Sequence, residues 1–70
     1  MFGQVLYKLR MDRHLKQAEL AELSQMDETY ISDLERGKYM PSLFTVLKLS
    51  RGPEITIDKF MAELNTKLSE

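Results

Sequence analysis

The side chains of this sequence that could perform chemistry are few. The sequence has no cysteine and a single histidine, His14, so it offers neither a thiolate metal site nor a histidine pair for zinc. It has no glycine-rich phosphate loop, and its closely spaced carboxylates, such as Glu19 and Glu22, are predicted to lie on a solvated helix face. We therefore expect no enzymatic activity, no cofactor and no metal, with His14 an ordinary surface residue.

Charged residues are numerous but unevenly distributed. The formal net charge is −1, yet residues 1–16 carry +3 and residues 36–51 carry +4, whereas residues 17–35 carry −6. The net charge alone does not indicate a nucleic-acid partner, but it conceals two basic segments that flank an acidic one. No apolar run approaches the roughly 18 residues of a membrane span, and the N-terminus lacks a signal-peptide pattern. We expect a cytoplasmic protein without membrane association.

Apolar residues recur at helical spacing along the whole chain and predict five short helices that hold the polar side chains in place. The second helix is predicted at 17–24 and the third at 28–36. The inward-facing residues predicted for the first four helices are Phe2, Val5, Leu6 and Leu9; Leu20, Ala21 and Leu23; Ile31 and Leu34; and Leu43, Val46 and Leu47. The apolar residues of the fifth are Ile57, Phe60, Met61, Leu64 and Leu68, of which Ile57, Phe60 and Leu64 suffice for one buried stripe. Helices this short are not stable alone in water, so the prediction is one all-α domain, a compact five-helix bundle over residues 1–70.

Turn and capping residues support these boundaries. Asp27 is predicted to cap the third helix by accepting backbone N–H bonds, and Gly37 suits the left-handed position after its end. Ser42 is the expected N-cap of the fourth helix, the Gly52–Pro53 pair stops that helix, and Thr56 caps the fifth.

Three segments of the sequence resemble the Xre family, the bacterial and phage transcriptional regulators with Cro/cI-type helix-turn-helix domains. They are residues 15–21 (LKQAELA), 29–38 (TYISDLERGK) and 41–43 (PSL). The resemblance covers about residues 2–64, and within the family the chain is most similar to single-domain regulators such as restriction–modification controller proteins. It implies a lambda-repressor-like fold with the helix-turn-helix at about 17–36.

The resemblance also implies roles for specific side chains. The third helix is the family's major-groove reader, and the residues expected to contact bases are Glu28, Thr29, Ser32 and Asp33. The residues expected to contact the DNA backbone are Gln17, Tyr30, Arg36, Lys38, Tyr39 and Ser42. Positive charge is needed at backbone contacts because phosphate neutralisation supplies most of the binding affinity. A structural salt bridge is expected between Arg10 and Glu35.

Three departures from the family pattern bear on these expectations. Gln25 occupies a turn position that is normally glycine, where a left-handed conformation would cost about 1 kcal/mol. Residues 52–54 replace the usual Leu-Gly, which leaves the start of the last helix open. The reading surface is acidic, because Asp27, Glu28 and Asp33 face or border the groove. Carboxylates can accept from cytosine N4 but repel phosphate, so affinity is expected from the flanking basic segments.

The last helix, at about 56–68, carries more apolar surface than one buried stripe requires. The residues expected to form a dimer interface are Ile55, Met61, Leu64 and Leu68. Their burial between two copies would place two reading helices about 34 Å apart on a palindromic site. The alternative is a wider core stripe in a monomer.

These patterns together predict a sequence-specific DNA-binding transcriptional regulator, with repression following if its operator overlaps a promoter. The expected partners are double-stranded DNA and a second copy of the chain. The alternative is a protein-interaction module or an antitoxin that keeps the same fold and uses the acidic helix face to bind a protein partner.

Overall fold

The helices begin and end close to where the sequence predicts them. The computed structural model of the protein describes residues 1–69, and Glu70, the last residue of the expected domain, lies outside that range. Within residues 1–69 there are no strands and five helices: α1 Phe2–Asp12, α2 Gln17–Ser24, α3 Glu28–Glu35, α4 Leu43–Arg51 and α5 Ile57–Ser69. This confirms the all-α prediction. None of these helices is long and apolar enough to cross a membrane.

All five helices contribute side chains to one apolar core. Its most deeply buried members are Val5, Leu6, Leu9, Leu20, Ile31, Leu34, Leu49, Ile55 and Phe60. The ring of Phe60 in α5 stacks on that of Phe2 in α1, with centroids 5.9 Å apart and an interplanar angle of 6°. Full burial of an aromatic side chain contributes about 2–3 kcal/mol, so this contact ties α5 firmly to the beginning of the chain.

Short-range signals set the helix ends as predicted. The three predicted N-caps each accept a hydrogen bond from a backbone N–H of the first helical turn: Asp27 from Thr29, Ser42 from Thr45, and Thr56 from Lys59. Gly37 follows α3 with a φ of 79°, and Gln25 follows α2 with a φ of 57° and a ψ of 47°. Gln25 therefore adopts the left-handed conformation despite its cost.

Two close backbone approaches fix the positions of α2 and α3. A Cβ atom added to Gly3 of α1 would lie 2.5 Å from the carbonyl oxygens of both Leu34 and Glu35. Gly52, just after α4, packs in the same way against the backbone of Leu23 and Ser24. Because any larger residue would collide with backbone atoms there, α1 supports the end of α3, and α4 supports the end of α2.

Three leucines predicted to face inward are exposed. Leu23, Leu43 and Leu47 have exposed fractions of 47%, 71% and 37%. The buried face of α4 contains Leu49, with Val46 and Ser50 beside it. Leu43 and Leu47 lie at the edge of that face, where no neighbouring helix covers them. Helical spacing identifies an apolar side of a helix, but not how far the neighbouring elements extend across it.

Ile55 was expected in a dimer interface, and this prediction is wrong. Its exposed fraction is 2%, and it lies in the turn between α4 and α5. Its N–H donates to the carbonyl oxygen of Ser50 at 2.7 Å, and its own carbonyl accepts from the Ser50 hydroxyl. These bonds hold the turn closed with Ile55 inside the core, so it cannot contact a second copy.

Candidate nucleic-acid interface

The segment from α2 to α3 is tightly closed by local hydrogen bonds. The N–H of Met26 donates to the carbonyl oxygen of Ala21 at 2.8 Å, and that of Gln25 donates to Glu22 at 3.2 Å. The carboxylate of Asp27 then caps the N-terminus of α3. The first turn of α3 lies at the surface.

That first turn presents polar side chains to solvent. Glu28 and Thr29 are exposed, and Ser32, one turn later, is half-buried. Ile31 and Leu34 on the opposite side are fully buried, so the three polar residues share the outer face of α3. Their carboxylate and hydroxyl groups are suited to hydrogen bonds with base edges in a major groove.

Asp33 is placed differently from the other expected base contacts. Its side chain is only 12% exposed, and its Oδ1 lies 2.9 Å from Nη2 of Arg36 and 3.8 Å from Nζ of Lys38. The two basic side chains are well exposed, at 65% and 59%. The structure thus brings Asp33 together with two residues expected at the DNA backbone, and its carboxylate is already ion-paired.

The loop from α3 to α4, residues 36–42, is called the basic loop here and is anchored along its length. The rings of Tyr30 in α3 and Tyr39 in the loop lie 5.9 Å apart between centroids, tilted by 36°. At its far end the Ser42 hydroxyl accepts from the N–H of Thr45 and donates to the Thr45 hydroxyl, both at 3.1 Å. Arg36 and Lys38 therefore project from a loop held at both ends.

The salt bridge implied by the resemblance lies beneath α3. Arg10 and Glu35 pair at 2.7 Å, with side chains only 8% and 5% exposed. The Gln17 amide donates to the same carboxylate at 3.0 Å, so the group expected to reach a phosphate is directed inward. The hydrogen bond to Glu35 raises the pKa of Arg10 above its ordinary value. The contribution of the charged guanidinium is therefore present below the ordinary pKa of arginine, and deprotonation of Arg10 removes it only in strong alkali, as the pH rises through the raised pKa.

Many of the acidic residues in and around the predicted reading surface have partners within the fold. Four of the six acidic residues in segment 17–35 are engaged, Glu19 and Asp27 with backbone N–H groups at helix ends and Asp33 and Glu35 in ion pairs. Among the described residues, Glu28 is the one carboxylate of α3 without a hydrogen bond or ion pair. At the first turn of α3, Asp27 and Glu28 remain as exposed carboxylates, whereas Asp33 and Glu35 are ion-paired.

Two features of this surface were missed at the sequence level. Met40, Leu43 and Phe44, at and just before the start of α4, are exposed apolar residues, together called the α4 patch here, with exposed fractions of 90%, 71% and 70%. The pairing of Asp33 with Arg36 was also missed, although their i, i+3 spacing on a helix is one that favours ion pairs.

Comparisons with known proteins agree with this geometry. A family model described as helix-turn-helix matches residues 6–60. The chain is 35% identical over 75 residues to an immunity repressor protein of Bacillus phage phi105, covering 93% of this chain and 52% of that protein. It is 36% identical over 64 residues to the control protein C.MunI of a Mycoplasma species, covering 90% of this chain and 86% of that protein.

The fold is also similar to that of a solved controller protein. The wild-type restriction–modification controller protein C.Esp1396I superimposes with a TM-score of 0.91 at 26% identity, covering 99% of this chain and 88% of that one. The chain spans about half the length of the phage repressor but most of the length of the two control proteins.

Proposed function

This chain belongs to the Xre-type helix-turn-helix family of DNA-binding transcription regulators, and on that premise we propose that it represses transcription by binding an operator as a homodimer. The observation that carries the proposal is the exposed first turn of α3, with Glu28 and Thr29 at the surface on the helix that continues into the basic loop. Similarity to a phage immunity repressor supports repression as the outcome of binding.

Sequence reading is assigned to the outer face of α3. In this arrangement the first turn of α3 enters the major groove. The Glu28 carboxylate accepts from a cytosine amino group, and the hydroxyls of Thr29 and Ser32 bond to either donors or acceptors. Glu28 is suited to this because no cation of the described chain occupies its carboxylate, whereas Asp33 is ion-paired.

We assign the contacts with the DNA backbone to the basic loop and the adjoining helix ends. Arg36 and Lys38 supply exposed positive charge, and Tyr30 and Tyr39 supply hydroxyl donors beside them. The N-termini of α2, at Gln17, and of α4, after Ser42, present backbone N–H groups that attract phosphate. Because phosphate neutralisation releases counterions, affinity should fall steeply as salt is added.

A homodimer is supported by the outer face of α5. Met61 and Leu68 have exposed fractions of 47% and 69%, and with half-buried Leu64 they line a shallow depression that also includes Asp58 and Asn65. Monomeric proteins rarely leave such apolar surface uncovered. A two-fold contact through α5 would bury the same face on both copies, without Ile55.

Selection of bound duplexes from a random DNA pool at about 100 mM salt tests the proposal. We expect enrichment of an inverted repeat with half-sites about 10 base pairs apart, centre to centre. Thr29→Ala should then change the preference among sequences, whereas Lys38→Gln should weaken binding to all sequences and reduce the salt slope by about 1. Enrichment of a lone half-site would retain DNA binding and exclude the homodimer. No enrichment even at low salt would overturn the proposal.

A protein partner is the second candidate function, and the α4 patch is the observation that favours it. These three strongly exposed apolar side chains lie within five residues of one another in the sequence, and clustered exposed apolar side chains can mark a protein contact. An antitoxin would combine this surface with DNA binding through α3. Replacement of Phe44 by Glu should abolish such an interaction without changing the enriched DNA sequence.

A further inference from the structure

We propose that Asp33 is a positioning residue that holds Arg36 and Lys38 ready for DNA phosphates, rather than a residue that reads a base. The inference rests on the proposed DNA binding and deepens it. It reassigns the one expected base contact whose side chain is largely buried rather than on the outer face of α3.

The side-chain geometry shows one carboxylate oxygen shared by two cations. Oδ1 of Asp33 lies 2.9 Å from the Arg36 guanidinium and 3.8 Å from the Lys38 ammonium. With 12% of the side chain exposed, water cannot fully solvate the carboxylate, so these cations are its main compensating charges. A cytosine amino group would have to displace Arg36 to reach the same oxygen.

The backbone reinforces this arrangement. The N–H of Lys38 donates to the carbonyl oxygen of Asp33 at 3.0 Å, and that of Gly37 donates to Leu34 at 3.1 Å. Gly37 reverses the chain with a φ of 79°, which brings Lys38 back beside the last turn of α3. Asp33 therefore contacts the basic loop through its main chain and its side chain together.

Long basic side chains lose conformational freedom when they bind a phosphate, and that loss weakens binding. If the Asp33 carboxylate already restricts the Arg36 and Lys38 side chains in the free protein, part of this conformational entropy is lost on folding, and less remains to be lost on DNA binding. The exposed fractions of the two cations show that they remain accessible while restricted. Asp33 thus prepares the loop for the phosphate backbone.

The proposal predicts that loss of the Asp33 charge weakens DNA binding, whereas simple electrostatics predicts tighter binding. Asp33→Asn removes a negative charge close to the expected phosphates, and charge alone would make DNA binding tighter. If Asp33 positions the two cations, the same substitution should instead weaken binding about five-fold, by a similar factor for every sequence. Glu22→Gln is the matched control, because it removes the same charge from an exposed carboxylate of α2 that has no cation partner among the described residues and no assigned contact with DNA.

The experiment measures the affinity of a labelled duplex of about 30 base pairs that carries the selected site, and of single-base variants of it, over a range of salt concentrations. Wild type, Asp33→Asn and Glu22→Gln are compared. Asp33→Asn is then repeated in a chain that also carries Arg36→Gln and Lys38→Gln. There the weakening should disappear because there is nothing left to position, and any change that remains should be the tighter binding expected from charge alone. Loss of helical stability alone would not depend on those two cations. Asp33→Glu, which keeps the charge but moves the carboxylate, replaces Asp33→Asn should the latter not fold, and the same uniform loss is expected.

Weaker binding to all sequences that disappears in the Arg36→Gln, Lys38→Gln background supports the inference. Unchanged or tighter binding by Asp33→Asn overturns it, and so does a change in preference at one base pair, which would identify Asp33 as a base contact. Both of these results require that wild type binds DNA, and they leave the proposed function intact. Failure of wild type to bind any duplex would instead overturn the proposed function and the inference with it.

Discussion

The guanidinium of Arg10 meets the carboxylate of Glu35 through two hydrogen bonds, 2.7 Å from Nε to Oε2 and 3.0 Å from Nη2 to Oε1. The remaining arm of Arg10 donates to the carbonyl oxygen of Leu15 at 2.7 Å, and Glu35 also accepts from Gln17. One enclosed pair thus connects α1, the loop before α2, α2 itself and the end of α3. It fixes the position of α3 relative to α1 and α2, and through Gln17 it also holds the N-terminus of α2.

Removal of one member of this pair should be severely destabilising. Glu35→Gln keeps the size of the side chain but leaves the Arg10 charge enclosed without its counter-ion, which typically costs 3–5 kcal/mol, or about half the stability of a small domain. We expect a much lower urea midpoint, measured by far-ultraviolet circular dichroism. Glu28→Gln, the same change at an exposed position, should stay within about 0.5 kcal/mol of wild type. Equal midpoints for the two variants would contradict the structural role.

The approach of α1 to α3 makes Gly3 a second sensitive position. Alanine is a better helix former than glycine, yet its Cβ at this position would lie 2.5 Å from two carbonyl oxygens of α3. We expect Gly3→Ala to lower the free energy of unfolding by about 1–3 kcal/mol, as overpacking does. The neighbouring exposed Gln4 provides the control, since Gln4→Ala should be neutral or slightly stabilising. A stabilised Gly3→Ala variant would show that the helices separate more easily than the packing indicates.

Replacement of Gln25, the left-handed turn residue, should raise the free energy of unfolding rather than lower it. Gln25 adopts a φ of 57°, and replacement by glycine removes the steric cost while increasing the entropy of the unfolded chain. The net expectation for Gln25→Gly is a gain of about 0.5 kcal/mol, or a few degrees in Tm for a domain of this size. Gly37→Ala is the reverse test: its Cβ would meet nothing within 4 Å, so an expected loss of about 1 kcal/mol would come from its backbone conformation alone. A destabilised Gln25→Gly variant would indicate that the glutamine side chain contributes more than its conformation costs.

Local features of the fold could be predicted from the sequence because they depend on neighbouring residues. Asp27 and Ser42 cap their helices through bonds to residues two and three positions away, and Gly37 follows α3 as its type requires. The exposure of Leu43 and the burial of Ile55 could not be predicted in this way. Both depend on which parts of distant helices meet, and a pattern along one helix does not contain that information.

In the candidate site, too, features set by neighbouring residues could be predicted, whereas features set by packing between distant segments could not. The positions of Glu28 and Thr29 on the outer face of α3 follow from helical periodicity. The inward orientation of the Gln17 amide does not, because its acceptor, Glu35, is 18 residues away and is brought near by packing of α2 on α3. The family resemblance implied a phosphate contact for the Gln17 amide, whereas in the fold this amide donates to Glu35, which also accepts from Arg10.

The last prediction concerns which apolar surface joins two copies. Met61 on α5 and Phe44 in the α4 patch are both exposed, at 47% and 70%, so a carboxylate at either position should leave the folded monomer intact. If α5 forms the interface, Met61→Glu places two charges against each other across a two-fold axis and should convert a dimer into a monomer in sedimentation equilibrium. Phe44→Glu should remain dimeric. The Met61→Glu monomer should also lose affinity for an inverted repeat while keeping its affinity for a half-site. A dimer disrupted by Phe44→Glu but not by Met61→Glu would place the interface on α4 instead, and circular dichroism of both variants would confirm that association, rather than folding, had changed.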